Sequence, residues 1–345
     1  MSMHTPTIPR SAMPAAFALG ALLVLFAALL AHAAEKERPA TVPAGYNFDP
    51  STLRPLTEHW QYRGQFETGL YPGGANELPE AHRKAGERLA ASIRPLDTNG
   101  KPDEKNGRIL LLAVGHSNGR HYFGALEDKL RQHAAELHPR FEFINAAVPG
   151  AGLLRMKNWA TEPPQSKSWQ RAKELTSRPG CSPLQVQALL FIASDSQAHP
   201  KALLPQTQFP KPIEEMQRNL GTVLAHFAKD YPNLKIAFLM SDGLRHFSGV
   251  EPASYEEGFA VKWLIETQIN HKPDTAFEGE SRKLPWLAWG PYIWDNSWDQ
   301  SYFLDGTHAA PKARAVFVGK AWELLSTSSV ARPRFLNSTT PTTKP

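Results

Sequence analysis

The sequence predicts an α/β protein, a three-layer α/β/α sandwich around a parallel five-stranded sheet. Short apolar runs without polar alternation are separated by longer stretches in which apolar residues recur every three or four positions. Continuous apolar runs are typical of strands buried on both faces, and the second pattern is typical of helices that cover a core. Strands that alternate with helices indicate a parallel sheet covered on both sides.

The predicted elements follow one another in a regular order. Strands are expected at residues 109–114, 141–147, 186–192, 234–240 and 286–289. Helices are expected at residues 79–93, 119–137, 213–229, 255–269 and 311–325. In the helix after the first strand, for example, Phe123, Leu126 and Leu130 form one apolar stripe. Polar residues follow several strands, at the carboxyl ends where the sites of such sheets lie.

The first 33 residues are predicted to be a secretory signal peptide. Arg10 precedes an apolar run from Met13 to Ala31, which ends in the cleavage pattern Ala31-His32-Ala33. This order of charge, apolar core and small residues is typical of a signal that is removed. The run approaches the ~20 residues that span a bilayer, so an uncleaved membrane anchor remains the alternative. In either case we expect an exported protein, periplasmic or secreted.

The rest of the chain divides into three predicted segments. Residues 34–107 are rich in Pro, Gly and charge, and we expect them to wrap the main domain as an extension. Residues 108–327 carry the alternating strands and helices and form that domain. Residues 328–345 are dominated by Ser, Thr and Pro, and we expect a disordered tail.

Composition excludes several classes of protein. The net charge of +5 is small for 345 residues, and no block of Lys or Arg occurs, so nucleic acid is not an expected partner. The single cysteine, Cys181, rules out an intrachain disulfide. His116 and His121 lie near each other, but no Asp, Glu or His joins them at ligand spacing, so neither metal nor cofactor is expected.

A serine lies directly after the first predicted strand, in Gly115-His116-Ser117-Asn118-Gly119. A turn from strand to helix exposes such a side chain and points the amides of the helix N-terminus at the same place. A serine hydroxyl becomes a nucleophile when a neighbouring base takes its proton and amide donors hold the oxyanion. Taken alone, this segment is equally well explained as a helix cap with a glycine beside it.

Near the end of the predicted domain, Asp305 and His308 lie three positions apart. On a turn, this spacing allows the carboxylate to bind one imidazole nitrogen and leaves the other to face a serine. The alternative is an ordinary Asp-Gly turn followed by a Thr307 cap. Together with Ser117, the pair predicts a catalytic triad in which Ser117 is the nucleophile, His308 the base and Asp305 the orienting acid.

The order of these motifs resembles the SGNH, or GDSL-type, hydrolase superfamily, in an uncharacterised bacterial exported branch. The resemblance covers about residues 109–327 and implies a flavodoxin-like topology, ester hydrolysis through an acyl-enzyme and no cofactor. It assigns Ser117 to the first block, Gly150 to the second as an oxyanion amide donor, and Asp305 and His308 to the last. The third-block asparagine is missing from residues 192–197. Asn118, Ser196 or Gln197 is expected to replace it, with Asn118 preferred.

The α/β-hydrolase fold is the competing interpretation, because Gly115, Ser117 and Gly119 also satisfy Gly-x-Ser-x-Gly. That fold needs several strands before the nucleophile, and residues 35–107 show no strand pattern. It also places the acid and the histidine far apart in the chain, whereas Asp305 and His308 are three residues apart. Chain order therefore favours the SGNH interpretation.

Three further residues are candidates for substrate binding: His116, Trp289 and Trp294. Five of the nine tryptophans lie between residues 263 and 298, which suggests either a platform for sugar rings or the packing of a long loop. An O-acylated carbohydrate is therefore the expected substrate class. The alternatives are an acyltransferase that uses the same triad, and a non-catalytic carbohydrate- or ligand-binding protein on the same scaffold.

Overall fold

The computed structural model describes residues 48–153, 167–194 and 209–337. The predicted signal peptide, the end of the predicted tail, and Ser196 and Gln197 lie outside the described residues. Within the described part of the chain, no helix is long and apolar enough to cross a membrane.

A five-stranded parallel sheet forms the centre of the molecule, as the sequence predicts. Two short strands, β1 (Gln61–Tyr62) and β2 (Phe66–Glu67), come earlier in the chain and lie outside this sheet. The strands of the central sheet are β3 (Ile109–Val114), β4 (Phe141–Asn145), β5 (Val186–Ala193), β6 (Ile236–Ser241) and β7 (Trp286–Trp289). Their order across the sheet is β4-β3-β5-β6-β7, and every neighbouring pair is parallel. Every residue of β3, β5, β6 and β7 is buried, which explains why their sequences show no polar alternation.

Seven α-helices occur in the described residues: one precedes the central sheet, four lie between its strands in the chain, and two follow its last strand. They are α1 (Glu80–Ala91), α2 (Ser117–Gln132), α3 (Lys167–Thr176), α4 (Lys211–Asp230), α5 (Ala253–Ile269), α6 (Pro311–Thr327) and α7 (Arg332–Phe335). The connection through α2 steps from β3 to the sheet edge, and the later connections step in the opposite direction. Because such crossovers are right-handed, the two directions place helices on opposite faces of the sheet. The result is the expected three-layer α/β/α arrangement.

The predicted helix at 119–137 begins and ends earlier than expected. It spans Ser117–Gln132, because the His116 side chain already caps its first turn. A separate single turn of 3₁₀ helix follows at Ala134–Glu136. The earlier start matters for the site, since it puts Ser117 in the first helical turn rather than in the loop before it.

Residues 48–107 contain a short hairpin that the sequence does not predict, with β1 (Gln61–Tyr62) antiparallel to β2 (Phe66–Glu67). The segment also contributes to the core: Leu56 is fully buried, and its backbone N–H donates to the Tyr292 hydroxyl at 2.8 Å. Two-residue strands are too short to produce a visible alternation. They form a separate sheet and do not extend the central one.

The expectation of a disordered tail from residue 328 is wrong for its first ten residues. Helix α7 lies at Arg332–Phe335, Phe335 is fully buried, and Leu336 forms a β-bridge with Leu137. The buried residues in this stretch are apolar, and their burial outweighs the local Ser and Thr content. Residues 338–345, where Thr and Pro are concentrated, lie outside the described residues.

Candidate active site

The residues of the predicted triad lie at the carboxyl end of the central sheet. Ser117 follows β3 after two residues, and the loop that carries Gly150 follows β4, the neighbour of β3. A hydrogen bond from the Val148 N–H to the Gly115 carbonyl, 2.9 Å long, ties that loop to the turn before Ser117. The sheet thus brings the first two motifs side by side, as expected for parallel strands.

The turn that presents Ser117 is packed closely against β5. A Cβ atom added at Gly115 would lie 1.9 Å from the Ile192 side chain, and one added at Gly119 would lie 2.9 Å from it. Contacts this short require glycine at both positions. Ser117 itself is half-buried at the start of α2. The glycines of this segment are therefore explained by the packing of the turn on the neighbouring strand.

Asp305 and His308 form the expected pair. His308 Nδ1 donates to Asp305 Oδ2 at 2.7 Å. The other carboxylate oxygen, Oδ1, accepts from the backbone N–H groups of Thr307 at 3.0 Å and His308 at 2.8 Å. Burial opposes ionisation of Asp305, but the hydrogen bonds from His308 and Thr307 outweigh it and lower the pKa of this carboxyl. The acid therefore stays ionised and holds the histidine ring in one orientation.

His308 lies over the first two turns of α2. Its ring centroid is 5.5 Å from that of His121, which is four residues after Ser117 and so lies on the same face of the helix. Burial, with added repulsion from Arg314 and His308, lowers the pKa of His121 to about 4. His121 is therefore neutral at ordinary pH.

The Ser117 hydroxyl and the His308 ring do not form a hydrogen bond, although both residues belong to the described part of the chain. Their backbones are nevertheless held close, because the side chain of Asn118 binds both neighbours of His308. Asn118 Nδ2 donates to the Thr307 carbonyl at 3.0 Å, and Asn118 Oδ1 accepts from the Ala309 N–H at 3.1 Å. Triad hydrogen bonds are often long without substrate, so this geometry is compatible with catalysis.

The expectation that Asn118 stabilises an oxyanion is wrong. Its side chain is buried, and Nδ2 also donates to the Asp242 carboxylate at 3.0 Å. Two donors and one acceptor are then all engaged within the protein, and no N–H remains for a substrate. Gly150 has a φ of +76°, in a loop beside the serine turn, which is compatible with its predicted role.

His116 is buried, so the prediction that it binds substrate is wrong. Its Nδ1 accepts from the Asn118 N–H at 3.4 Å, and its Nε2 lies 3.6 Å from Asp242 Oδ2. Burial lowers the pKa of His116 to about 4, with Arg245 and His308 adding repulsion and Asp242 opposing it. His116 therefore supports the serine turn from within the protein as a neutral ring.

Trp289 and Trp294 are also core residues, so the prediction that they bind substrate is wrong. Trp289 is 4% exposed and donates from Nε1 to the Leu70 carbonyl at 2.7 Å. Trp294 is 2% exposed and donates to Glu251 at 3.2 Å. Of the two explanations for the tryptophan-rich region, the structure supports packing at these positions.

A buried group of charged residues adjoins the site and is not among the residues that the motifs predict. Asp242 directly follows β6 and is 1% exposed, and Arg245 Nη1 lies 3.6 Å from its carboxylate. Arg245 Nη1 is also 3.4 Å from the hydroxyl of Ser194, at the end of β5. The sequence signal is a polar pair, Ser241 and Asp242, at the end of a buried strand. Among the described residues, no three His, Cys, Asp or Glu side chains are grouped to hold a metal ion.

A polar cavity of about 560 Å³ lies between α2 and β4, and Ser117, Asp305 and His308 are not among its lining residues. Its lining includes Arg120, three residues after Ser117, together with Asn145 and Ala147 from the segment that leads to Gly150. Arg120 is exposed.

Comparisons with known proteins give little further information. No family model matches the chain, and no curated protein matches it. Among solved structures, one similar chain is LAE5, an alpha/beta hydrolase enzyme from the metagenome of Lake Arreo, Spain. It is 13% identical, with a TM-score of 0.31, over 64% of this chain and 95% of that chain. A likeness this distant defines neither the fold nor the function of this protein.

Proposed function

We propose that this protein is an exported serine hydrolase of the SGNH type that cleaves an ester bond. The observation that carries the proposal is the Asp305–His308 pair, held by Asn118 against the helix turn that presents Ser117. The strand order also supports it. Numbered by their order in the chain, the five central strands run 2-1-3-4-5, which is the flavodoxin-like order. Ser117 follows the first of them, whereas an α/β-hydrolase nucleophile follows several strands.

In the proposed reaction, the Ser117 oxygen bonds to the acyl carbon while its proton passes to His308 Nε2. Asp305 binds Nδ1 and stabilises the imidazolium that forms. The tetrahedral intermediate collapses, the bond from the acyl carbon to the alcohol oxygen breaks, and His308 returns the proton to that oxygen. Water then repeats the sequence on the acyl-enzyme and releases the acid. The backbone N–H groups of Ser117 and Gly150 are the proposed oxyanion donors.

The substrate class is proposed from the polar cavity, since the tryptophans no longer support a sugar platform. Arg120, three residues after Ser117 in the chain, lines this cavity together with Asn145. A polar ester, such as an O-acylated carbohydrate, fits such a lining better than a long apolar chain does. Export is proposed on the Ala31-His32-Ala33 pattern alone.

The test compares wild type with Ser117→Ala on a short-chain aryl ester. We expect the variant to lose at least about 10³-fold in kcat, because removal of a triad member leaves only binding and oxyanion stabilisation. Ser182→Ala is the matched control. Ser182 is a half-buried capping serine before β5, at the opposite end of the sheet, so its loss affects stability and not rate.

A serine-directed phosphonate gives a second readout. We expect one covalent adduct on wild type, located on Ser117 by peptide mass, and none on Ser117→Ala. Equal ester turnover by wild type and Ser117→Ala, with no adduct on either, would refute the proposal and favour a binding protein. Transfer of the acyl group to an added sugar in preference to water would instead identify an acyltransferase.

A further inference from the structure

The Asn118 side chain links three parts of the chain that are remote in sequence. It lies next to Ser117, its Nδ2 donates to Asp242 and to the Thr307 carbonyl, and its Oδ1 accepts from the Ala309 N–H. Asp242 is 124 positions away, and Thr307 is 189 positions away. Every hydrogen-bonding group of this amide is engaged, and the residue is 3% exposed.

The two bonds to the C-terminal loop enclose the proposed base. Thr307 and Ala309 are the neighbours of His308, so the position of His308 relative to α2 is fixed on both sides by one amide. Ser117 precedes that amide in the same helical turn. A change in the Asn118 side chain therefore alters the distance between nucleophile and base without touching either of them.

Asp242 fixes which way the amide points. A carboxylate accepts hydrogen bonds and cannot donate them, so Nδ2 must face Asp242 and Oδ1 must face the Ala309 N–H. The bond is charge-assisted, which makes it stronger than a neutral one. Asp242 is itself held by the Gly243 N–H at 3.0 Å, with Arg245 Nη1 and His116 Nε2 each 3.6 Å away.

We propose that Asn118 and Asp242 are positioning residues that hold the His308 loop in register with the Ser117 turn. This rests on the proposed function, since it assigns their role in the same reaction. Displacement of reacting groups by about 1 Å can cost about 10²-fold in rate. The expected signature is a fall in kcat, with little change in KM, because neither residue is proposed to contact the substrate.

A buried amide with three hydrogen bonds could equally serve stability alone, and Gln268 provides the matched control. Gln268 is 1% exposed, donates to the Thr275 and Pro285 carbonyls, each at 3.0 Å, and accepts from the Leu287 N–H at 2.7 Å. It lies near the end of α5, away from the triad. Gln268→Ala should lower the melting temperature much as Asn118→Ala does, yet leave the reaction rate of the folded protein unchanged.

The experiment measures the rate of Ser117 phosphonylation and ester kcat and KM for each variant, with melting temperatures alongside. Asn118→Asp places a second carboxylate against Asp242, and we expect about 10²-fold slower labelling and turnover. In the double variant Asn118→Asp with Asp242→Asn, the donor and acceptor are exchanged. We expect this variant to recover at least about tenfold over Asn118→Asp, since the remaining loss is the bond to Thr307.

Wild-type rates in Asn118→Asp, or no recovery in the double variant, would overturn the proposal. If Asn118→Asp does not fold, the isosteric Asp242→Asn decides: we expect about tenfold slower labelling, and an unchanged rate would contradict the positioning role. Failure of the proposed function is distinct, because wild type itself would then carry no adduct on Ser117.

Discussion

Acid should destabilise this protein in part through His116. The ring is 6% exposed, and burial lowers its pKa to about 4, from the usual 6.5 that applies in the unfolded chain. Between these two values the unfolded chain binds a proton that the folded protein does not. The contribution of His116 is therefore complete above pH 6.5 and is lost progressively as the pH falls toward 4.

The size of the effect follows from the two pKa values. Each unit of difference corresponds to about 1.4 kcal/mol, so the full loss is about 3 kcal/mol. At pH 5 the loss amounts to about 2 kcal/mol, since the unfolded histidine is then almost fully protonated. The charged and titratable groups around the ring are Asp242, Arg245 and His308. They are unchanged in a variant that replaces only His116.

Urea unfolding of wild type and His116→Asn at pH 7, 6 and 5 measures this contribution. Asparagine caps helices well, so the variant keeps an acceptor for the Asn118 N–H. We expect the unfolding free energy of wild type to fall more steeply with acid, with an excess of about 2 kcal/mol between pH 7 and 5. Other histidines contribute equally to both proteins and cancel. Parallel curves, or an NMR titration of the His116 ring near its usual pKa, would refute the reasoning.

Two other changes test the packing around the site. Gly115→Ala should lower the unfolding free energy by more than about 2 kcal/mol, because the new Cβ would lie 1.9 Å from Ile192. In a double-mutant cycle with Ile192→Ala, the loss of unfolding free energy in the double variant should be smaller than the sum of the two single losses. Additive losses would argue against the contact. Trp289→Phe should lower the unfolding free energy by about 2 kcal/mol, through loss of the bond to the Leu70 carbonyl and of ring volume, while the ester KM stays unchanged. A raised KM in that variant would restore a substrate-binding role for Trp289.

The fold could be predicted because its signals are local. The buried strands of the central sheet are mostly apolar runs, such as β3, and a covering helix such as α4 repeats its apolar residues within one short stretch. The hairpin at residues 61–67 has strands of only two residues, so no period exists to detect. The burial of Phe335 depends on its packing against Phe141, at a ring separation of 5.1 Å, and nothing in the composition of the tail indicates that contact.

The candidate site could be predicted in part for the same reason. Asp305 and His308 are close in sequence, so their hydrogen bond follows from a single turn. The roles of Asn118 and Trp294 depend on partners that only the tertiary structure supplies. Asn118 meets Asp242 across 124 positions, and Trp294 meets Glu251 across 43. In such cases the sequence shows which residue type is present. Whether that residue binds a ligand or supports the core depends on its partner in the folded protein.

The segment from Gly115 to Gly119 has both a recognisable sequence pattern and partners that only the tertiary structure supplies. In the α/β-hydrolase interpretation, its glycines mark a strained nucleophile elbow. Here each glycine instead lies so close to Ile192 that an added Cβ would collide with it, and the asparagine between them binds the loop that carries the proposed base. The glycines thus set how closely the turn approaches β5, and Asn118 sets how closely His308 approaches the turn. The Gly-x-Ser-x-Gly spacing is explained here by the packing of both glycines against Ile192. The pattern alone is therefore not evidence for the α/β-hydrolase fold.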